Sequence, residues 1–257
     1  MNDVLRFAET LAREAGTILK DGFGAPHQVT YKGAINIVTE ADLKAETHLR
    51  TRIRAAFPDH DLLGEESPEV STGAASRWII DPLDGTTNYA HGYPVFCVSV
   101  ALEVEGRIAL GVVYNPMLDE LFSARRGGGA FLNGKPLSVS RTGTLTESLL
   151  ATGFPYDIRD SRDNNMDHFA NMALRARAIR RAGSAALDLA YVAAGRFDGF
   201  WELKLAPWDT AAGWLLVEEA GGRVTDLYGA PYHLRAPHVL ASNGRIHPAL
   251  LDVLRPT

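Results

Sequence analysis

The stretch Trp78-Ile79-Ile80-Asp81-Pro82-Leu83-Asp84-Gly85-Thr86-Thr87-Asn88 decides the fold, because three apolar residues run here straight into an acidic turn. Tryptophan and isoleucine suit a buried strand, whereas proline and glycine stop one. We therefore expect Asp81 at the end of a strand and Asp84 on the turn that follows it. Alternate side chains of an extended strand point in opposite directions, but a turn with proline can fold the second carboxylate back beside the first.

Two carboxylates held this close repel each other unless a cation lies between them. Hard divalent ions such as Mg²⁺ bind oxygen atoms, often one or two carboxylates together with a substrate phosphate. The hydroxyl groups of Thr86 and Thr87 are suited to orienting a water molecule beside such an ion. The alternative is a simple turn of Asp, Pro and Gly that only ends a strand. The rest of the chain decides between these two interpretations.

Two further stretches place acidic residues next to predicted elements. Asp61-Leu62-Leu63-Gly64 is typical of a short strand, and Glu65 and Glu66 follow it directly. Adjacent glutamates are usually solvated, but the ends of neighbouring strands form a common ligand-binding edge in open sheets. Pro207-Trp208-Asp209 begins a predicted helix, where an aspartate can also serve only as a cap.

Together these stretches resemble the inositol monophosphatase family, the Mg²⁺-dependent and lithium-sensitive sugar phosphatases. Residues 81–88 match the family's DPxDGTxN signature throughout, residues 64–66 match its Gly-Glu-Glu element, and residues 207–213 match its second signature. The matches occur in the family's order, and the resemblance covers nearly the whole chain. It implies an α+β or α/β fold, a layered α-β-α-β-α sandwich of the sugar phosphatase type.

The resemblance implies a site for two or three Mg²⁺ ions, with Mn²⁺ as a substitute and Li⁺ as an inhibitor. The metal ligands that it implies are the side chains of Glu65, Asp81, Asp84 and Asp209 and the main-chain carbonyl of Leu83. The catalytic residues that it implies, which would orient the attacking water, are Glu65, Thr86 and, behind the threonine, Asp42. The substrate contacts that it implies are Asp84, Gly85, Thr86, Gly183, Ser184, Ala185, Glu202 and Asp209.

Taken alone, several of these residues have simpler interpretations. Asp42 lies in the first turn of a predicted helix, where a carboxylate is favourable with the helix dipole. Ser184 suits a helix N-cap, although the free backbone N–H groups there can also bind an anion. Glu202 ends a predicted strand and can equally be a surface charge. Asn36 stands where family members often carry Asp. This departure bears on how tightly a third, loop-associated metal ion binds and leaves the main pair unaffected.

The resemblance favours hydrolysis of a phosphate monoester by metal-activated water, with myo-inositol 1-phosphate as the first candidate substrate. Histidinol phosphate and fructose 1,6-bisphosphate are alternatives within the same family. A binding role is a different kind of function, since one bacterial branch associates with transcription machinery. A basic cluster of Arg175, Arg177, Arg180 and Arg181 fits such a role, although a solvated face or a dimer rim is the simpler interpretation. A homodimer is expected from the resemblance alone.

Composition limits the alternatives. The chain has 257 residues, 46% of them hydrophobic, and a net charge of −5. A mildly acidic protein is a poor candidate for general binding to nucleic-acid phosphates. No stretch approaches the roughly 20 apolar residues of a membrane span. The first nine residues lack the apolar core of a signal peptide, and the single Cys97 cannot form an internal disulfide, so a cytoplasmic protein is expected.

Other catalytic motifs are missing from the sequence. It contains no Gly-x-Ser-x-Gly elbow and no His-Glu-x-x-His spacing, which argues against a serine hydrolase and a zinc hydrolase. The run Gly127-Gly128-Gly129 lacks the Lys and Ser or Thr that follow in a P-loop. A glycine-rich connection between strands is the plainer interpretation.

A polar segment over residues 138–146 divides the chain into two predicted halves. Residues 1–140 form an N-terminal α+β half with the metal-binding signature, and residues 141–257 form a C-terminal α/β half that completes the site. Apolar periodicity predicts helices that begin near residues 2, 39, 162, 184, 208 and 246, with the third over residues 162–177. The alternation of strands and helices in the second half predicts a wound α/β arrangement.

Overall fold

A computed structural model describes residues 1–25, 29–31 and 37–255 of the chain. Its helices are α1 Asn2–Gly22, α2 Glu40–Ala56, α3 Thr86–Ala90, α4 Met166–Ala173, α5 Ala185–Ala193, α6 Pro207–Glu219 and α7 His247–Leu254. Its strands are β1 Val29–Tyr31, β2 Ile37–Thr39, β3 Asp61–Gly64, β4 Ser76–Asp84, β5 Cys97–Val104, β6 Arg107–Asn115, β7 Glu120–Arg125, β8 Gly129–Leu132, β9 Lys135–Pro136, β10 Leu149–Thr152, β11 Ala178–Arg180, β12 Gly199–Leu203, β13 Arg223–Thr225 and β14 His238–Ser242. Within the described ranges, every helix is too short or too polar to cross a membrane.

The larger sheet has seven strands in the order β3-β4-β5-β6-β7-β8-β9. Strands β3 and β4 run parallel, and each later pair is antiparallel. Two of its hairpins turn on residue pairs with positive φ, namely Glu105 and Gly106 at 49° and 76°, and Asn133 and Gly134 at 48° and 76°. Such pairs match the twist of the flanking strands. Strands β1 and β2 pair as a separate two-stranded ribbon.

The smaller sheet has five strands in the order β11-β10-β12-β14-β13. The prediction of a wound α/β arrangement holds for β11, β10 and β12, which are parallel. It is wrong for β13 and β14, because β14 runs antiparallel to both β12 and β13. Strand β13 has only three residues, Arg223–Thr225, which is too short for apolar alternation to reveal.

Helices and sheets alternate in five layers. Helices α1 and α2 cover one face of the larger sheet, and α5 and α6 fill the space between the two sheets. Helices α4 and α7 cover the outer face of the smaller sheet. This α-β-α-β-α order confirms the predicted fold class.

The central strands are apolar on both faces because both faces are covered. In β4, Trp78 and Ile80 pack toward α1 and α2, whereas Ile79 packs toward the central helices. In β12, Phe200 packs toward the same central layer and Trp201 toward α4 and α7. Successive residues of a strand point to opposite faces, so double coverage explains the uninterrupted apolar run that precedes the acidic signature.

The helix predicted over residues 162–177 is wrong in length, because α4 spans only Met166–Ala173. Asn165 precedes it with φ of 70°, and its side chain is engaged elsewhere. Its amide donates to the Gly153 carbonyl at 2.6 Å and accepts from Trp201 Nε1 at 2.7 Å. Beyond the helix the chain enters β11, which pairs with β10. Tertiary contacts therefore override the local periodicity at both ends.

Candidate active site

A β-bulge brings two carboxylates of β4 to the same side of the strand. Asp81 pairs with Ser99 of β5, and Asp84 pairs with Cys97, so three steps along β4 match two steps along β5. Residues three apart on a regular strand face opposite ways, and one extra residue restores them to one side. The predicted turn after Asp81 is wrong, since the strand continues to Asp84. The expected juxtaposition of the two side chains nevertheless occurs, by a different local structure.

Gly85 ends the strand and starts the short helix α3. Its φ is 106°, and a Cβ atom built at this position would lie 2.9 Å from the Val95 carbonyl oxygen. A side chain here would be both strained and obstructed. Glycine therefore allows the chain to turn directly after Asp84, which places Thr86 one residue later at the same edge.

Asp209 comes from the central layer. It is the third residue of α6, and its carboxylate accepts the Ala206 amide at 2.7 Å, which satisfies the helix N-terminus. Ser99, the strand partner of Asp81, donates its hydroxyl to the Trp208 carbonyl at 3.1 Å and so ties β5 to the start of α6. As a result, Asp81, Asp84 and Asp209 each offer an oxygen within 4.8 Å of the others.

These three carboxylates are unfavourable as anions without a cation. Burial raises the pKa of Asp81 and of Asp209 well above the ordinary value, and the charges of the neighbouring acids, including Glu65, raise each pKa further. Burial also raises the pKa of Asp84 to about 6, although hydrogen bonds from Ser184 and Ala186 oppose the shift. A hard divalent cation at the point where the oxygens converge would relieve this repulsion, so the donor set fits Mg²⁺.

Thr86 lies beside the cluster with a single hydroxyl proton. Its Oγ1 is 2.8 Å from Asp42 Oδ1 and 3.1 Å from the Leu83 carbonyl oxygen, and it can donate to one of them at a time. The other Asp42 oxygen accepts the Thr39 amide at 2.8 Å and the Thr39 hydroxyl at 2.6 Å. Asp42 therefore both caps α2, as its position predicts, and reaches Thr86. Burial raises the pKa of the Asp42 carboxyl.

A cavity of about 410 Å³ opens over the cluster. Every predicted site residue except Asp42 lines it, and Asp42 lies behind Thr86. The lining residues from the predicted set are Glu65, Asp81, Leu83, Asp84, Gly85, Thr86, Gly183, Ser184, Ala185, Glu202 and Asp209. Asn36, on which the expectation about a third metal ion depends, lies outside the described residues.

The opposite wall is the start of α5. Gly183 has φ of 85°, and Ser184 precedes the helix without a capping bond from its side chain. Its hydroxyl donates instead to Asp84 Oδ2 at 2.8 Å, which accepts the Ala186 amide at 2.7 Å as well. Asn88 of α3 donates to the Ala182 carbonyl at 2.8 Å and so holds the same loop.

Glu202, in β12, also lines the cavity. Burial and the charge of Asp84 raise the pKa of Glu202 to about 8, and the nearby Arg181 opposes the shift. A Cβ atom built on Gly153 would lie 2.1 Å from Glu202 Oε1. The glycine therefore leaves the space that the Glu202 carboxylate occupies, and the sequence contains no local pattern that would predict this pairing.

Sequence reasoning missed several residues of the rim. Lys204 lines the cavity with φ of 60°, and its Nζ contacts Asp157 at 2.7 Å and Ser161 at 2.9 Å. Tyr156 lines the mouth as well. Such contacts join positions more than 40 residues apart, so composition and spacing gave no signal. Arg181, predicted as part of a surface basic cluster, also lines the cavity.

Comparisons with known proteins agree with this geometry. The family model of the inositol monophosphatase family matches residues 1–256. The chain is 46% identical to the inositol-1-monophosphatase of Rhizobium meliloti (strain 1021), covering 98% of this chain and 93% of that protein. It is 44% identical to Nus factor SuhB of Pseudomonas aeruginosa, covering 100% of this chain and 97% of that protein.

A solved structure with the same fold is the extragenic suppressor protein suhB from Bartonella henselae. It superimposes with a TM-score of 0.93 at 43% identity and covers 98% of each chain. The match over the full length, the layered fold and the convergent acidic residues all agree with the resemblance in the sequence. The chain therefore belongs to the inositol monophosphatase family.

Proposed function

We propose that this protein is a Mg²⁺-dependent phosphatase that hydrolyses inositol 1-phosphate to inositol and phosphate. The observation that carries the proposal is the convergence of Asp81, Asp84 and Asp209 at the floor of an open cavity, with Glu65 on its wall. Carboxylates that repel one another in an otherwise stable fold indicate a site built for cations. Relatives at this level of identity include an inositol-1-monophosphatase, which supports the substrate class.

We assign the ions to the predicted ligands. Glu65, Asp81 and the Leu83 carbonyl would hold one Mg²⁺, and Asp81, Asp84 and Asp209 would hold a second. When bound, such a pair activates the attacking water and neutralises charge on the leaving oxygen. Mn²⁺ is the natural substitute in an all-oxygen site. We include inhibition by Li⁺ and the binding of a third metal ion in the proposal because the chain belongs to this family.

The chain's own residues position the reactants. Glu65 and Thr86 would orient the water from one side, with Asp42 fixing the direction of the Thr86 hydroxyl through the 2.8 Å contact. Gly85 and Thr86, at the start of α3, line the cavity, and their backbone N–H groups would bind phosphate oxygens. No covalent nucleophile is required, because charge neutralisation and in-line placement supply most of the acceleration.

The alcohol part of the substrate would occupy the other end of the cavity. Gly183, Ser184 and Ala185 would present backbone and hydroxyl groups to it, and Glu202 and Asp209 would accept its hydroxyl hydrogens. A wall of this kind suits a polyol, whose hydroxyl groups need several hydrogen-bond partners. Histidinol phosphate and fructose 1,6-bisphosphate are the alternative substrates, since both are phosphate monoesters that the family resemblance also allows.

A substrate panel measured by phosphate release tests the function. With Mg²⁺ we expect the highest kcat/KM on inositol 1-phosphate, loss of activity with a chelator, recovery with Mn²⁺ and inhibition by Li⁺. Faster turnover of histidinol phosphate or fructose 1,6-bisphosphate would change the assigned substrate but not the assigned reaction. Hydrolysis of none of the panel would overturn the phosphatase proposal.

A second candidate function is association with transcription machinery, alone or in addition to hydrolysis. The relative from Pseudomonas aeruginosa carries the name Nus factor, and Arg175, Arg177 and Arg180 are exposed on this chain. An immobilised protein that retains neither RNA polymerase nor RNA from a matched lysate would contradict this role. Substitution of the three arginines by glutamine should abolish any retention that occurs, while phosphate release stays unchanged.

Three further expectations remain proposals. A homodimer is supported by the resemblance, and light scattering after gel filtration measures it directly. A cytoplasmic location is tested by cell fractionation. The two halves at residues 1–140 and 141–257 are supported by the position of the two sheets, one on each side of the boundary. Separate expression of each half tests whether either folds without the other.

A further inference from the structure

Helix α2 carries a row of polar residues that point to the site. Asp42, Glu46 and Arg50 are spaced four residues apart, which places them on one side of a helix. Asp42 and Glu46 are fully buried, and the Arg50 side chain is 14% exposed. Asp42 contacts Thr86, as described above. The other two residues have had no role assigned so far.

Glu46 and Arg50 hold the segment that carries Glu65. Glu46 Oε2 accepts the backbone amide of Glu66 at 2.8 Å. Arg50 lies 3.4 Å from the other Glu46 oxygen and donates a second N–H to the Pro68 carbonyl at 3.0 Å. The pair therefore attaches α2 to the residue that follows Glu65 and to the end of the same segment.

Gly64, on the other side of Glu65, makes this contact possible. A Cβ atom built on Gly64 would lie 3.0 Å from Glu46 Oε1 and 3.1 Å from Oε2. The Glu46 carboxylate thus lies directly against the backbone where Gly64 has no side chain. Both neighbours of Glu65 in the chain are in contact with one buried carboxylate.

Stability alone is a poor explanation for this arrangement. A buried ion pair pays a large desolvation cost, and apolar residues of similar volume are often as stable or more stable. A buried charge that contacts backbone next to a functional side chain has a different use, because it fixes direction. Groups that hold ligands in place typically change metal affinity or activity 10- to 100-fold when removed.

We propose that Glu46, held by Arg50, is a positioning residue for Glu65. Glu46 fixes the backbone on both sides of Glu65. The Glu65 carboxylate is thereby held in one position, in the cavity beside Asp81. The inference rests on the metal-assisted function proposed above. It adds a residue that touches neither the substrate nor the ions, and it gives α2 two contacts to the site, one through Asp42 and one through Glu46.

The test measures metal binding separately from turnover. Glu46→Ala removes the acceptor for the Glu66 amide, and Glu46→Gln keeps one oxygen that can still accept it. Titration calorimetry with Mn²⁺ and no substrate should show affinity roughly tenfold weaker in Glu46→Ala and largely restored in Glu46→Gln. kcat should follow the same order, with KM changing less.

Glu14→Ala is the matched control. Glu14 is a carboxylate that contacts His48 and Arg52 between α1 and α2, away from the cavity. It should lower the melting temperature without changing Mn²⁺ affinity, which separates a loss of packing from a loss of positioning. Where Glu46→Ala fails to fold, Arg50→Gln, which removes the Pro68 contact, serves as the second variant with the same expected direction.

A Glu65→Gln variant distinguishes failure of the positioning role from failure of the metal assignment. Glu65→Gln should weaken Mn²⁺ binding if the proposed function is right. Normal affinity and kcat in a folded Glu46→Ala or Arg50→Gln, together with a defective Glu65→Gln, would overturn the positioning role alone. An unaffected Glu65→Gln would overturn the metal assignment itself.

Discussion

Asp84 accepts a hydrogen bond from the Ser184 hydroxyl at 2.8 Å, although the two residues are 100 positions apart in the chain. The same carboxylate oxygen accepts the Ala186 amide at 2.7 Å, so it satisfies the N-terminus of α5 from outside the helix. One carboxylate thus connects the acidic cluster on the larger sheet with the start of α5.

We expect Asp84→Asn to lower kcat/KM by about a hundredfold at submillimolar Mg²⁺, since one ligand charge is lost while size is kept. In the presence of a chelator the same variant should melt at a higher temperature than wild type, because one charge of a repelling set is gone. Phosphate release and differential scanning calorimetry measure the two effects. Asp59→Asn, at an exposed position, is the control and should change neither. Activity close to wild type at low Mg²⁺ would refute the assignment of Asp84.

Thr86→Val should reduce kcat by about two orders of magnitude with little change in KM, because it removes the hydroxyl that we propose orients the water and keeps the volume. Thr86→Ser keeps the hydroxyl and should recover most of the rate. In a double-mutant cycle with Asp42→Asn, the two losses should be strongly non-additive, since Asp42 acts through the Thr86 hydroxyl. Additive losses in that cycle would show that the 2.8 Å hydrogen bond from Thr86 Oγ1 to Asp42 Oδ1 has no role in catalysis.

Gly153→Ala should raise KM for the substrate and leave Mg²⁺ affinity nearly unchanged. The new methyl group would lie 2.1 Å from Glu202 Oε1, so the carboxylate must leave its position in the cavity, where we propose that it contacts the alcohol part of the substrate. Steady-state kinetics and metal titration measure the two quantities. Gly143→Ala, where a Cβ atom meets nothing within 4 Å, is the control for the exchange itself. An unchanged KM in Gly153→Ala would remove Glu202 from the substrate contacts.

Gly85→Ala should destabilise the fold by more than Gly106→Ala. Both glycines have positive φ, at 106° and 76°, and each exchange costs about 1 kcal/mol or more in backbone strain. Only at Gly85 does the new Cβ also approach a backbone oxygen, at 2.9 Å from Val95, whereas at Gly106 it meets nothing within 4 Å. Urea denaturation of the two variants measures the difference. Equal losses would mean that the contact with Val95 relaxes freely.

His247 predicts a pH effect on stability that is independent of the metal site. Its two ring nitrogens lie 2.9 Å from Thr225 Oγ1 and 2.8 Å from Ser242 Oγ, and burial, together with the charge of Arg223, lowers its pKa from 6.5 to about 4. The unfolded chain therefore binds a proton at a higher pH than the folded chain does. Stability from this residue is complete above pH 6.5 and is lost as pH falls toward 4, by at most about 1.4 kcal/mol per pH unit.

Denaturation of His247→Gln between pH 4 and 7 measures this effect. The variant should be less stable than wild type at neutral pH, and its stability should fall less steeply on acidification. His91→Gln, at an exposed position, should keep the wild-type slope. An identical slope in His247→Gln would show that other groups dominate the acid sensitivity.

Much of the site could be predicted because local rules and motif agreed. The apolar run before Asp81 and the Gly at position 85 each have a physical cause that is visible in the sequence, and the resemblance supplied the distant Asp209. The bulge was not predictable, because it depends on the register between β4 and β5, which no residue of β4 reveals alone. The helix over residues 162–177 failed for a similar reason, since the side chain of Asn165 makes contacts with Thr152 of β10 and Trp201 of β12.

The position of Glu46 at the site could not be predicted from the sequence. In the sequence it is one of several charged residues on a helix with an imperfect apolar face. Its burial and its contacts with Arg50 and the Glu66 amide, which distinguish it from the others, are visible only in the structure. Lys204 is similar, because its partner Asp157 is 47 positions away. Long-range polar contacts of this kind carry no periodicity, so they become visible only in three dimensions.

The extra residue of the β-bulge in β4 also determines which mutations this strand tolerates. Point substitutions between Ile80 and Gly85 alter one side chain at a time, but deletion of a single residue there would turn Asp81 or Asp84 toward α1 and α2, away from the cavity. We therefore expect a library of one-residue deletions scanned along β4 to show its sharpest loss of folded protein between Ile80 and Gly85.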